Sequence, residues 1–316
     1  MHVVVGATGG TGTALVTELV RRGLPVRTVN RSGLAHVPAG VEVAAGDASD
    51  AGRMREVCAD AVAVYHCVNP PFSDWRSVFP EAHRSLLAAA GAAGAVLMFA
   101  DDTWMYGHVD GPMTEDLPSR PVSNLGVLRA WLAEMLLAAH SRGDARVVIG
   151  RGGELYGPNV ESLLGRNLFG QSVHHHRMFW PGNPDLAITP TYIDDFASGL
   201  ATLAQEPVSW GEVWHVPSGP PTTGRAFAER VWDHQGRSMR LSTITPAVAA
   251  PLGLVSDVVR RGAELLYQFE QDFVVDSTKF TSKFGGTATS YEDGIAATLA
   301  WYRRNADRDR HRILPV

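Results

Sequence analysis

Gly6-Ala7-Thr8-Gly9-Gly10-Thr11-Gly12 is the stretch on which the reading of this chain turns. It follows the short apolar run His2–Val5. It precedes residues 13–22, where Leu15, Leu19 and Val20 recur at helical spacing until Gly23 stops the pattern. Strand, glycines and helix in that order form a turn suited to a diphosphate. Glycines at 6, 9 and 12 let the backbone bend tightly and come close to the ligand. The start of the following helix then offers unpaired N–H groups and a partial positive charge. The expected contacts are Gly6, Thr8, Gly9, Gly10, Thr11 and Gly12.

Outward from this turn, strand and helix patterns alternate. Strands are expected at 25–29, 41–45, 61–65, 95–99 and 146–149, and helices at 50–58, 74–93 and 125–141. That order predicts an α/β fold: a doubly wound, parallel, Rossmann-type sheet with helices on both faces. Ligands of such sheets sit beyond the carboxyl ends of the strands. Those ends gather Gly6, Asn30, Asp47, residues 66–69, residues 100–104 and residues 151–154. After residue 150 the pattern loosens, with a helix expected near 194–204, a strand at 212–216, and helices at 224–235, 247–267 and 291–303. The expected division is a dinucleotide-binding core at 1–150, with 187–218 returning to it. Residues 151–186 and 219–316 would form a smaller C-terminal substrate-binding lobe.

The end of the second strand reads Asn30-Arg31-Ser32. An acidic residue here would bind both ribose hydroxyls of NAD. A neutral Asn followed by Arg31 and Ser32 instead suits a 2′-phosphate, so NADP(H) is expected in preference to NAD(H). Asp47 and Ala48 are expected beside the adenine, and Val68 and Asn69 farther along the cofactor.

Composition narrows the class of partner. A net charge of −5 gives no footprint for DNA or RNA, and no basic run marks a membrane surface. No signal peptide or apolar run of membrane-spanning length is recognised. Cys58 and Cys67 are the only cysteines, too few for a disulfide framework, and a cytoplasmic protein is expected.

With these residues in view, the chain resembles the extended short-chain dehydrogenase/reductases, the NAD-dependent epimerase/dehydratase family. Val64-Tyr65-His66-Cys67 resembles that family's fourth strand. Met105-Tyr106-Gly107 is similar to its VYG, Thr114-Glu115-Asp116 to its TED, and residues 151–158, ending Tyr156-Gly157-Pro158, to its RPxxVYGP. Thr191-Tyr192-Ile193-Asp194-Asp195 resembles its YVDD, and Gly294 to Arg303 its last helix. The resemblance implies a Ser or Thr, a Tyr, and a Lys four residues after the Tyr, which together exchange a proton while nicotinamide exchanges hydride. It also implies a homodimer built on helices 73–93 and 125–141.

The sequence departs from that pattern at the proton donor. None of its seven tyrosines is followed four places later by Lys, and the only lysines are Lys279 and Lys283. Leu125 occupies the Tyr position and Arg129 the Lys position. Asp102 stands where the Ser belongs, with Thr103 beside it. Leucine exchanges no proton, and arginine stays charged at ordinary pH. Arg129 can still bind the nicotinamide ribose or a substrate anion.

The candidates left to carry chemistry are Asp102, Thr103, Arg129 and Glu154. Asp101 and Asp102 can share one proton between adjacent carboxylates, or one of them caps the next turn. Glu154 can face the substrate or serve as polar filler, and Tyr106 reads as a packing residue. Adjacent side chains at His174-His175-His176 diverge and lack a second ligand cluster, so no metal is expected. Trp75, Trp104, Phe179 and Trp180 either wall a pocket for an apolar or polycyclic small molecule or pack the core. No Gly-x-Ser-x-Gly elbow supports a hydrolase. The expected function is an NAD(P)(H)-dependent oxidoreductase or epimerase-type enzyme, acting on a small carbonyl or alcohol with a non-standard proton donor. The alternatives are a non-redox cyclase, lyase or isomerase, and a dinucleotide-sensing regulator.

Overall fold

Continuous apolar strands need cover on both faces, and the first half of the chain supplies it. The computed structural model describes residues 1–175, 177–244 and 264–305. They form two units. The first comprises Met1–Asp102, Val127–Arg151 and Phe196–Val216. Its strands are β1 (His2–Val5), β2 (Val26–Asn30), β3 (Glu42–Ala45), β4 (Ala63–His66), β5 (Val96–Asp101) and β6 (Arg146–Arg151), joined by Val213–His215. The sheet runs Val213–His215, β6, β5, β4, β1, β2, β3, every pair parallel. This is the expected doubly wound sheet, and its strand order reverses between β1 and β4. Register there pairs Val5 with His66, so the turn after β1 and the loop after β4 leave the sheet side by side.

The helices follow from local chemistry. α1 (Gly10–Arg21) buries Gly12, Leu15, Val16 and Leu19 as one apolar stripe. α2 (Ala51–Val57) starts at Asp50, whose carboxylate accepts the Arg53 N–H at 2.9 Å. α3 (Trp75–Ala93) ends at Gly94, which takes φ +62°, a conformation glycine adopts without Cβ strain. α4 (Asn124–Arg142) buries Leu132, Leu136 and Ala139. Val3, Val64, Leu97, Phe99, Val147 and Ile149 are fully buried and form the centre of the core. At the rim, β3 is largely exposed. There Arg27 of β2 ties Glu42 (2.7 Å) to Asp60 (2.6 Å).

The second unit comprises Thr103–Gly126, Gly152–Asp195 and Pro217–Val316. Three short strand pairs frame it: Leu155–Tyr156 with Thr191–Tyr192, Arg177–Pro181 with Arg240–Ile244, and Ala187–Ile188 with Thr222–Thr223. Its core is aromatic. Tyr156 meets Phe227 at 5.0 Å and Phe227 meets Tyr291 at 5.4 Å between ring centroids. Thr223 caps the helix Gly224–Asp233 and Ser290 caps Tyr291–Arg304. Segment 103–126, placed with the sheet in the sequence-based division, belongs here, where Met113 N–H donates to Val274 O at 2.7 Å. Of the helix expected at 247–267, residues 247–263 lie outside the described residues, and Leu266–Phe269 is a single tight turn. Among the described residues, no helix is long and apolar enough to cross a membrane.

Leu15→Ala is expected to lower the unfolding free energy by about 2–5 kcal/mol. Asp50→Ala should lower it by about 1 kcal/mol, the usual cost of losing an N-cap. Both are read as urea-midpoint shifts at unchanged slope.

Candidate functional site

Two of the motif glycines are sterically required. Gly6 has φ +88°, and a Cβ there would stand 2.5 Å from Cys67 O, 2.6 Å from Cys67 C and 2.7 Å from Val68 N. A Cβ on Gly12 would stand 2.4 Å from Gly6 O and 2.6 Å from Ala7 Cα. Gly9 is under no such pressure, since the nearest atom to its Cβ would be 3.9 Å away. It is the N-cap of α1 and provides no side-chain cap, so the helix start keeps donors for an outside acceptor. Thr8 and Gly9 are exposed, and Gly10 and Thr11 half-buried.

At the end of β2, Asn30 is buried. Its Oδ1 accepts the Ser32 hydroxyl at 2.9 Å, while its Nδ2 has no partner. Arg31 and Ser32 are exposed. Asp47 is exposed and accepts the Ser49 N–H at 2.9 Å, closing its own turn; Ala48 is buried. Val68 is half-buried and Asn69 exposed, in the loop after β4.

A charged cluster ends β5 and β6. Arg151 Nε donates to Asp101 Oδ2 at 2.9 Å, and Arg129 NH1 to Asp101 Oδ1 at 3.4 Å. Arg129 Nε lies 2.8 Å from Asp102 Oδ2, a charge contact without hydrogen-bond alignment. Two guanidiniums thus face two carboxylates and the group is neutral. Among the side chains, Asp101 is 0% exposed, Arg151 5%, Arg129 8% and Asp102 21%. Asp102 is therefore the member that reaches solvent. The Arg129 guanidinium carbon also lies 4.6 Å from the Trp75 ring, 4.7 Å from Phe79 and 5.6 Å from Phe99. Such stacking is worth about 0.5–2 kcal/mol. Stripping a buried charge of its partner costs about 3–5 kcal/mol, so the carboxylates dominate in fixing this arginine.

Leu125, one turn earlier on α4, is buried. In the second unit, Thr103 is buried at the head of a short turn. There too, Glu154 Oε1 accepts the Leu163 N–H at 3.0 Å, so its carboxylate holds the start of segment 163–170. Trp75 and Trp180 are 1% exposed, which favours the core-packing alternative for these two. Trp75 packs on Phe72 and Phe79, and Trp180 on Phe269. The His174 and His175 rings lie 6.3 Å apart, and His176 lies outside the described residues. Among the described residues, no group of three or more His, Cys, Asp or Glu could hold a metal ion.

The sequence gives no sign of a buried histidine pair beside this cluster. His66 Nε2 and His83 Nδ1 are 3.1 Å apart, with both rings fully buried. Burial first, then the Arg129 charge, pushes His66 down to about 3. Burial also takes His83 well below its usual value, aided by His66 and Arg129. At the other end of the sheet, burial and the N-terminal charge push His2 down to about 4. Burial pushes the Cys67 thiol up to about 12, leaving it unsuited as a nucleophile.

A sequence model described as the NAD dependent epimerase/dehydratase family matches residues 2–216. Among curated relatives, dTDP-glucose 4,6-dehydratases of Actinoplanes sp. and Streptomyces griseus are 27% identical over 209 residues and 26% identical over 229. These alignments cover 64% and 70% of this chain. They cover 58% and 63% of the relatives, so the chain spans about three-fifths of the length of the curated relatives it matches. Solved structures share the fold. A Streptomyces venezuelae dTDP-glucose 4,6-dehydratase double mutant with NAD and DAU bound has TM-score 0.78 at 20% identity, covering 98% of each chain. A Bacillus anthracis dTDP-glucose 4,6-dehydratase in complex with NAD has 0.79 at 15%, covering 97% of each. A Thermus thermophilus UDP-glucose 4-epimerase complex with NAD has 0.77 at 20%, covering 96% of this chain and 99% of that one.

These findings overturn the expectation of NADP(H). The matching family is described as NAD dependent, and these neighbours carry NAD. The expectation rested on neutral Asn30 in place of an acidic residue, followed by Arg31 and Ser32, two exposed side chains that the fold does not commit to a 2′-phosphate.

The buried histidines set an acid limit on stability. Their folded-state values lie below the unfolded value near 6.5, so as pH falls the unfolded chain takes up protons first. Stability is complete above about pH 6.5 and is lost progressively below it, by about 1.4 kcal/mol per pH unit for each such histidine, until the folded values are reached. Urea unfolding of His66→Phe between pH 6.5 and 5 should show a shallower pH slope than the parent.

Proposed function

The chain belongs to the NAD-dependent epimerase/dehydratase family, and on that premise we propose an NAD-dependent enzyme of oxidoreductase, epimerase or dehydratase type that acts on a nucleotide-linked sugar. The observation that carries this reading is the glycine turn itself: Gly6 and Gly12 pack backbone on backbone with no room for a β-carbon, and the helix start at Gly9 is open and uncapped. That uncapped start suits a diphosphate. Asn30 Nδ2, a buried donor without a partner, fits an adenosine ribose oxygen. Gly6, Thr8, Gly9, Gly10, Thr11 and Gly12 would hold the diphosphate, Asp47 and Ala48 would flank the adenine, and Val68 and Asn69 the middle of the cofactor. Bound NAD supplies reversible hydride exchange at its nicotinamide.

The chain's own part is the proton. With Leu125 at the position of the family tyrosine, Asp102 is the proposed acceptor of a substrate hydroxyl proton. Its carboxylate is the solvent-reaching member of the cluster. Arg129 keeps its charge and steadies the carboxylate, and would face a developing oxyanion. The substrate class is supported by the dTDP-glucose and UDP-glucose enzymes among the relatives and neighbours. Val127 and Trp131, one turn apart on α4 and 54% and 41% exposed, support a homodimer through α3 and α4. Free, buried Cys58 and Cys67 support a cytoplasmic setting.

One other reading has an observation of its own. Leu125, with every carboxylate of the cluster already paired, suits a protein that reads bound NAD without turning it over.

Calorimetry should show NAD binding that Gly6→Val abolishes. With dTDP-glucose or UDP-glucose, Asp102→Asn should lower kcat about 10²- to 10⁴-fold, the usual share of general acid–base catalysis. An unchanged kcat would remove Asp102 from its role. NAD binding without any turnover would favour the regulator, and no binding at millimolar NAD would sink both readings.

A further inference from the structure

The loop after β4 touches the glycine turn in a specific way. The O and C of Cys67 and the N of Val68 lie 2.5, 2.6 and 2.7 Å from where a Gly6 β-carbon would stand. Three nearly equal distances mean that the Cys67–Val68 peptide lies flat against Gly6. Backbone bonds anchor both partners, from Gly6 N–H to Val29 O at 3.0 Å and from Cys67 N–H to Val5 O at 2.9 Å. Neither bond fixes how the 67–68 peptide plane is rotated. A planar group has its N–H on one edge and its C=O on the other, so holding one edge sets the plane.

The Val68 N–H donates to His66 Nδ1 at 3.3 Å. Nδ1 is therefore the bare nitrogen of the neutral ring, and the proton sits on Nε2, 3.1 Å from His83 Nδ1, which also lies 2.9 Å from Phe79 O. His83 Nε2 is buried without a partner. Phe99 packs on both imidazoles, at 5.2 Å from His66 and 4.6 Å from His83, and also lies 5.6 Å from the Arg129 guanidinium. Burial keeps both of them neutral, so the acceptor at Nδ1 persists through the ordinary pH range.

We propose that His66 is a positioning residue of the dinucleotide turn: its Nδ1 accepts the Val68 N–H and so holds the Cys67–Val68 peptide flat against Gly6. The inference rests on the functional reading above for its link to NAD. The contact it invokes exists without nucleotide.

The test compares His66→Asn with His66→Leu. An asparagine side-chain oxygen accepts an N–H two residues on, whereas leucine cannot. Both variants give up the His83 contact, so a merely structural role would affect them alike. Hydrogen exchange of the Val68 amide in nucleotide-free protein should match the parent in His66→Asn. In His66→Leu it should be about three- to tenfold faster, the worth of one net hydrogen bond. NAD affinity by calorimetry should fall by a similar factor in His66→Leu relative to His66→Asn. Should the leucine variant not fold, His66→Met serves in its place. Equal Val68 exchange in all three proteins, or equal loss of affinity in both variants, would overturn the proposal. If the parent itself binds no NAD, the functional reading fails, and Val68 exchange still decides the role of His66.

Discussion

Close backbone contact at the switch point between β1 and β4 is the constraint on which the rest depends. Parallel pairing in the register Val5 to His66 brings the two strand ends out together. Only a residue without a β-carbon lets the chain after β1 turn against the 67–68 peptide. The same shortage of space recurs one helical turn on, at Gly12 against Gly6 O. Strand order, glycine placement and helix start are therefore one device. A side chain at either glycine would push α1 off the sheet that it covers with Leu15, Val16 and Leu19.

The charged cluster solves a different problem. A guanidinium enclosed by Trp75, Phe79 and Phe99 has little water to solvate it. Asp101 and Asp102 replace that water, and Arg151 balances the second negative charge. A lysine would offer a point charge in place of a planar fork and could not meet two carboxylates and stacked rings in the same way. Arg129 and the paired aspartates at the end of β5 are thus one physical arrangement.

Much of this was legible from residue order. The glycine turn, the parallel sheet and its helices follow from short apolar strands alternating with amphipathic helices, patterns set by local periodicity. Arg129 and Asp102 were singled out by position, and the structure sets them 2.8 Å apart in one charged cluster. What escaped was set by packing across long sequence distances. His66 and His83 meet because β4 and α3 fold together, and a histidine at a strand end carries no mark of its future partner. For Trp75 and Trp180 the choice between pocket wall and core stayed open in the sequence, because aromatic content says nothing about which side is covered. Arg31 suggested NADP(H) through its charge, yet an exposed guanidinium on a turn binds no particular group. Segment 103–126 follows β5 directly in sequence, and its bond from Met113 to Val274 spans far too many residues for any local pattern to foretell.

The rim strand β3 has a bearing on colloidal behaviour. A terminal strand presents a row of unsatisfied amides and carbonyls, an invitation for another chain to add itself. Here that row is only four residues long, and its outward surface includes Val43. Beside it, Arg27 of β2 holds Glu42 and Asp60 together. Short length thus limits what another chain could pair with at the sheet's open margin.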